Sequence, residues 1–118
     1  MDATRVRWLR VLIGGVLAEA AVFVVVIPVY RLSGEHALLF VVPPTCLVAC
    51  FAFGLWVARP LESRFVFHGI LVGVVATLLY VAMTAARPEP VAYLVANGLK
   101  IVGGAAGGLV AGRRYRPP

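Results

Sequence analysis

Acidic side chains are scarce in this sequence, which has five Asp and Glu residues against eleven Lys and Arg residues. Charged residues form only 14% of the chain and hydrophobic residues form 62%, whereas soluble domains are about 45–50% apolar. The sequence also lacks a Ser/His/Asp set, paired carboxylates and a glycine-rich phosphate loop. We therefore expect a membrane protein without enzyme activity and without a cofactor.

Cysteine and histidine are equally rare. Cys46 and Cys50 lie four residues apart on one helical face, a geometry that does not suit a disulfide. We interpret them as small apolar packing residues. His68 has no second ligand three or four residues away, so we predict no metal site there.

Long apolar runs are what the sequence has in abundance. About 20 apolar residues cross a bilayer, and four stretches are long enough: 8–30, 37–57, 66–86 and 91–112. The remaining residues, about 30, are too few for a soluble domain. The sequence therefore predicts one all-α domain, 1–118, of four transmembrane helices in two antiparallel hairpins.

The beginning of the chain has the layout of a signal peptide. Arg5, Arg7 and Arg10 precede an apolar run that contains Ala18-Glu19-Ala20. The run continues to Tyr30 without a break, and a Glu at a cleavage site is unusual. We therefore expect an uncleaved first helix.

The distribution of Arg predicts the orientation. Eight of ten Arg lie in the N-terminal arm, the middle loop and the C-terminal tail, and two, Arg31 and Arg87, lie on the other side. An excess of basic residues marks the cytoplasmic side, so we predict an inner membrane protein with both termini in the cytoplasm. The Gly and Ser residues within 31–36 predict the first outer loop.

Two charged residues interrupt the apolar runs, Glu19 in the first and Lys100 in the fourth. A charge near the bilayer centre costs roughly 2.5–3.5 kcal/mol and usually faces a partner or a cavity. At a rise of about 1.5 Å per residue, Glu19 lies about 16 Å from Trp8 and Lys100 about 18 Å from Gly112, at the cytoplasmic helix ends. The matching depths predict an ion pair near the midplane, within one chain or across a dimer.

Two polar residues are expected to join this pair. Asn97 lies one turn before Lys100 on the same face, and Thr45 lies at a similar depth in the second helix. One interpretation is that the pair only fixes the helix register, and another is a site for protons, cations or polar solutes. A third is that the charges never meet, with Lys100 reaching the interface or Glu19 protonated.

The fourth span is rich in glycines spaced four residues apart, which let helix backbones approach closely. The third span supplies a second face of small residues. The glycines that we assign to helix packing are Gly69, Gly73, Gly103, Gly104, Gly107 and Gly108. Because they occupy more than one face of the fourth helix, we expect contacts with several neighbours in one bundle, with a homo-oligomer interface as the alternative.

The stretch Gly14-Gly15-Val16-Leu17-Ala18-Glu19 resembles the first helix of the small multidrug resistance transporters. Those proteins are four-helix chains of similar length with one membrane-embedded Glu. The resemblance implies that Glu19 would be the carboxylate that exchanges protons for cationic substrates.

The second half of the chain carries a broader pattern. It reads Arg64-x-x-x-His68-Gly69-x-Leu-Val-Gly73, then Asn97-Gly98-Leu-Lys-x-x-Gly103-Gly104-x-x-Gly107-Gly108. This pattern is similar to small uncharacterised four-helix bacterial membrane proteins. The resemblance implies the four-helix fold and no particular function.

Our leading interpretation is a small multi-pass membrane protein, structural or accessory in a membrane assembly, because Lys100 balances the charge of Glu19. The alternative is a small proton- or cation-coupled transporter that acts as an oligomer through these two residues. A third interpretation is a lipid-contacting protein with an Arg-rich inner face. The expected partners are membrane lipid, a second copy or another membrane protein, and not nucleic acid.

Overall fold

A computed structural model describes residues 6–61, 64–84 and 91–115 of the chain. The elements, in order, are helices α1 Trp8–Ser33, α2 Glu35–Ala58, α3 Phe65–Thr84 and α4 Val91–Arg114. The prediction of an all-α fold with four helices is confirmed, and no strand occurs in the described ranges. Each described helix end lies within three residues of the predicted one. The end of the third predicted span, 85–86, lies outside the described residues.

All four helices are long and apolar enough to cross a membrane. Even the shortest, α3, has 20 residues, which match a hydrocarbon core of about 30 Å. The outer surface is apolar as well, since large side chains such as Leu9, Val24 and Phe40 are more than 70% exposed. Such a surface is stable in lipid, and the chain fits a small multi-pass membrane protein.

The connection between α1 and α2 is a single residue, Gly34. The predicted loop over 31–36 is wrong, because α1 continues to Ser33 and α2 begins at Glu35. Gly34 has a φ of 81°, which glycine adopts without steric cost. Its N–H donates to the carbonyl oxygen of Tyr30 at 2.9 Å and so satisfies one carbonyl in the last turn of α1.

Contacts at one end of the bundle show how the helices are arranged. The start of α1 lies beside the end of α2, where Arg10 binds the carbonyl oxygen of Val57. The start of α3 lies beside the end of α4, where Phe65 packs on Gly108. We call this end of the bundle, which holds the start of α1 and the end of α4, the terminal half, and the opposite end the Gly34 half.

Helices α1 and α4 lie on opposite sides of the bundle. In the described part of the chain, no Cα atom of α1 lies within 8 Å of a Cα atom of α4. Helices α2 and α3 pack against each other and against both outer helices. Any direct contact between α1 and α4 must therefore be made by long side chains that cross the bundle.

The glycines of α4 face two neighbours. A Cβ atom added at Gly103 or Gly107 would collide with the carbonyl oxygen of Leu47 or Phe51 in α2. These are contacts between backbones, which only glycine permits.

The second glycine face of α4 packs against α3. A Cβ atom at Gly104 would collide with the carbonyl oxygen of Gly69. A Cβ atom at Gly73 would lie 2.5 Å from the Lys100 carbonyl oxygen and 2.6 Å from the Ile101 Cα atom. The predicted packing glycines thus lie at contacts inside one chain, on two faces of α4.

Close glycine packing is confined to the terminal half. In α1, Gly14 and Gly15 precede Glu19, and in α4 the tightly packed glycines follow Lys100. Gly98, on the other side of Lys100, has no atom within 4 Å of an added Cβ. Close approach of helix backbones at glycines is therefore a feature of the terminal half.

Candidate functional site

Glu19 lies on the inward face of α1. The buried residues of this helix recur every three or four positions, at Val11, Gly14, Gly15, Ala18, Glu19 and Val22. This spacing is the stripe that a helix presents to a core. The apolar sequence around Glu19 therefore places its carboxylate in the bundle interior, where only 3% of the residue is exposed.

Lys100 occupies the corresponding position in α4. It lies one turn after buried Ala96 and one turn before Gly103 and Gly104, so helical periodicity turns it inward. Only 2% of the residue is exposed. A lysine this deeply buried requires a partner for its charge.

That partner is Glu19. The Lys100 Nζ atom donates a hydrogen bond to the Glu19 Oε2 atom at 2.7 Å, and both side chains are buried. Distances of about 2.7–2.9 Å are typical of charge-assisted hydrogen bonds. The structure thus brings together the two charged residues that the sequence places at matching depths. Their side chains join α1 and α4, the two helices whose backbones do not meet.

The second oxygen of the carboxylate is different. The Glu19 Oε1 atom is buried and has no hydrogen-bond partner among the described residues. A buried acceptor without a donor costs about 1–3 kcal/mol. This atom is the least satisfied polar group of the site.

An aromatic ring stabilises the other charge. The Lys100 Nζ atom lies 4.6 Å from the centroid of the Tyr80 ring, within the range of a cation–π interaction. Sequence reasoning missed Tyr80, which lies in α3 seven residues after Gly73, the residue whose backbone contacts that of Lys100. Side chains on a helix tilt toward its N-terminus, so the Lys100 side chain is directed toward the Gly34 half. An aromatic residue two turns after Gly73 is therefore within its reach.

The two additional polar residues behave differently. Asn97 lines the same cavity as the ion pair, and its backbone carbonyl oxygen accepts a hydrogen bond of 3.4 Å from Thr77. Thr45 does not join the cluster, in contrast to the prediction. Its hydroxyl donates to the Val41 carbonyl oxygen at 2.7 Å, and its side chain lies in a separate surface groove. The neighbouring residue, Cys46, lines the cavity instead.

The cavity lies beside the ion pair and has a volume of about 200 Å³. It extends from the pair into the Gly34 half of the bundle, since its walls on α1 come from residues after Glu19 and those on α4 from residues before Lys100. The lining side chains are Glu19, Val22, Phe23, Val26, Val42, Cys46, Tyr80, Tyr93, Ala96, Asn97 and Lys100. The site is thus an apolar and aromatic chamber with one ion pair at its inner end.

His68 has a role that sequence reasoning did not find. It is fully buried, and its Nε2 atom accepts a hydrogen bond from the Arg7 backbone N–H at 3.1 Å. Because Nε2 is an acceptor, the ring proton is on Nδ1, which donates to the Arg64 carbonyl oxygen at 2.8 Å. The neutral imidazole therefore ties the start of α1 to the start of α3. No cluster of three His, Cys, Asp or Glu side chains that suits a metal occurs in the described ranges.

Arg10 joins the start of α1 to the end of α2 in the terminal half. Its Nε atom donates to the Val57 carbonyl oxygen at 3.0 Å and its Nη2 atom to the Trp56 carbonyl oxygen at 2.6 Å. Its guanidinium also lies 4.0 Å from the centroid of the Trp56 ring. A cation at the end of α2 satisfies carbonyl groups that have no partner within the helix.

Comparisons of the chain with protein-family models, with curated proteins and with solved structures find no match. The resemblances to small multidrug resistance transporters and to small bacterial membrane proteins therefore stay predictions. The function must be argued from the geometry of the site.

Proposed function

We propose that the protein is a structural or accessory component of a membrane assembly and that its buried ion pair fixes the packing of the bundle. The observation that carries this proposal is the 2.7 Å contact between Glu19 and Lys100. The pair connects α1 with α4, the two helices that make no close backbone contact in the described chain. Removing one partner of a buried pair costs about 3–5 kcal/mol because it leaves the other charge unpaired, so the bundle must keep these two helices in the register that joins the charges.

Charge balance argues against a cation carrier. A carboxylate that carries cations must be open to its substrate, whereas Glu19 already binds an ammonium group within its own chain. The pair has no net charge, and its field attracts a second cation far less than a lone carboxylate would. Fixing the register of the helices is the simpler role for such a pair.

The partner of the assembly is proposed to contact the outer surface rather than the glycine faces. The glycines of α4 are already in contact with α2 and α3 of the same chain. A homo-oligomer formed through those glycines would require the bundle to open. Another membrane protein is therefore the favoured partner, with a second copy as the alternative.

The terminal half of the bundle is proposed to face the cytoplasm and anionic lipid. Five exposed Arg residues lie in this half: Arg7, Arg59, Arg64, Arg113 and Arg114. Basic residues beside a membrane span favour the cytoplasmic side. Each of them stabilises the binding of the protein to anionic headgroups by about 1 kcal/mol. Their placement supports an inner-membrane location with both termini inside.

Flux measurements test the structural role. We would reconstitute the protein in liposomes and measure proton and organic-cation flux with and without a pH gradient. The expected result is no flux above empty liposomes. Flux that disappears in Glu19→Gln but persists in Gly98→Ala, a matched change outside the site, would contradict the structural role and establish transport.

A proton- or cation-coupled transporter is the second candidate. The observation that favours it is the cavity of about 200 Å³ that reaches the carboxylate, together with the unsatisfied Glu19 Oε1 atom. In that mechanism Glu19 would exchange the Lys100 ammonium for a proton or a substrate cation. The flux assay distinguishes the two candidates directly.

A further inference from the structure

The cavity beside the ion pair has the size of a small aromatic molecule. An engineered apolar cavity of about 150 Å³ in another protein binds benzene, and this cavity has about 200 Å³. Three of its lining side chains are aromatic, those of Phe23, Tyr80 and Tyr93, and four of the other eight are aliphatic. The space therefore admits a single ring with a short substituent.

One carboxylate oxygen at the polar end of the cavity has no hydrogen-bond donor. Glu19 is more than nine-tenths buried, and its Oε2 atom accepts the Lys100 ammonium. Its Oε1 atom has no hydrogen-bond partner among the described residues. A ligand with an O–H or N–H group would remove the cost of this unpaired acceptor.

We infer that this cavity binds a small neutral amphiphile, a molecule with one aromatic or aliphatic body and one hydroxyl group that donates to Glu19 Oε1. The aromatic and aliphatic walls bury the body. A hydroxyl also has acceptor lone pairs that suit the neighbouring ammonium. This inference does not depend on whether the protein transports anything.

The charge distribution favours a neutral ligand over a cation. The Lys100 ammonium already lies against the Tyr80 ring and against the carboxylate. A second cation would meet the repulsion of this ammonium at short range, in a medium that screens charges weakly. A neutral donor makes the same hydrogen bond to Glu19 without that repulsion.

Three probes with one ring in common test the inference. We would titrate 4-fluorobenzyl alcohol, 4-fluorotoluene and 4-fluorobenzylammonium into the purified protein in mild detergent and follow the ¹⁹F resonance of each. We expect the alcohol to bind at least about tenfold more tightly than 4-fluorotoluene, because a hydrogen bond to a charged acceptor is worth at least that factor. We also expect it to bind more tightly than 4-fluorobenzylammonium, because the Lys100 ammonium repels a second cation.

Two variants locate the binding. Ala96→Phe fills the cavity from a residue that is 2% exposed, and the matched control Val95→Phe changes the adjacent residue, which is 51% exposed. Binding of the alcohol should disappear in the first and persist in the second. In the double variant Glu19→Leu/Lys100→Leu, the alcohol should lose its advantage over 4-fluorotoluene, since apolar replacement of a buried pair is often tolerated.

Each other result overturns the inference. No saturable binding of any probe would mean that the cavity holds only water. Equal binding of the alcohol and 4-fluorotoluene to the unmodified protein would show that Glu19 makes no contribution. Tighter binding of the ammonium probe would identify a cation site, and these comparisons in the unmodified protein decide the matter even where a variant does not fold.

Discussion

Alanine at Gly73 is expected to separate α3 from α4. The added Cβ atom would lie 2.5 Å from the Lys100 carbonyl oxygen and 2.6 Å from the Ile101 Cα atom, whereas ordinary contacts are 3.4–4 Å. Both neighbours are backbone atoms of α4, so the helix itself must move by roughly 1 Å to restore contact distances. This movement would also shift Lys100 away from its carboxylate.

Two opposing effects decide the magnitude. Alanine improves helix propensity over glycine by about 1 kcal/mol. Overpacking of a close contact costs about 1–3 kcal/mol, and the backbone contact at Gly73 places this variant in the upper part of that range. We therefore expect a net loss of about 1–2 kcal/mol in the free energy of unfolding.

The assay is reversible unfolding in mixed micelles of a mild detergent and sodium dodecyl sulfate, followed by circular dichroism. Gly98→Ala is the matched control, because no atom lies within 4 Å of an added Cβ there. That variant should equal the unmodified protein or exceed it by up to about 1 kcal/mol. Equal stabilities of Gly73→Ala and Gly98→Ala would refute the reasoning from close packing.

Three further results are expected. Glu19→Gln and Lys100→Met should each lower the yield of folded protein and the double variant should recover part of it, whereas additive losses would show that the residues act independently. Arg10→Gln should lower the free energy of unfolding by about 1–2 kcal/mol through the loss of two hydrogen bonds at the end of α2; unchanged stability in the same micelle assay would contradict this. With the two buried native cysteines replaced by alanine, a cysteine at Ser33 should react with an impermeant thiol reagent in intact cells and one at Ser63 only after lysis, and the reverse order would invert the proposed topology.

The helices could be predicted because the apolar runs are long and their ends are marked by polar residues. The connection at Gly34 could not, since Ser33 and Glu35 read as loop residues although both lie in helices. A positive φ at one glycine is enough to end α1 and begin α2. Sequence composition does not distinguish a six-residue loop from one residue with this conformation.

Only the depth of the site residues along the membrane normal could be predicted from the sequence. Depth follows from the rise per residue, and it pairs Glu19 with Lys100 correctly in space. Successive side chains point in directions about 100° apart around the helix axis, and in α2 it is Cys46 rather than Thr45 that points to the cavity. The depth of a residue does not tell in which direction its side chain points.

The cavity was also beyond prediction from the sequence. It lies in the Gly34 half, whereas the glycines that hold α4 close to α2 and α3 lie in the terminal half. The spacing of small residues identifies the tight half. The volume left in the other half depends on how all four helices pack together, which is a property of the whole bundle.

The ion pair also imposes an order in time on assembly. Its two residues are 81 positions apart, and at a synthesis rate of about 5–20 residues per second Lys100 follows Glu19 by about 4–16 s. During that interval α1 carries an acidic residue whose basic partner has not yet been made. Until α4 has been made, the carboxylate of Glu19 has no ammonium partner from its own chain. The contact between α1 and α4 can therefore form only after the last helix has been synthesised, as a late step in assembly of the bundle.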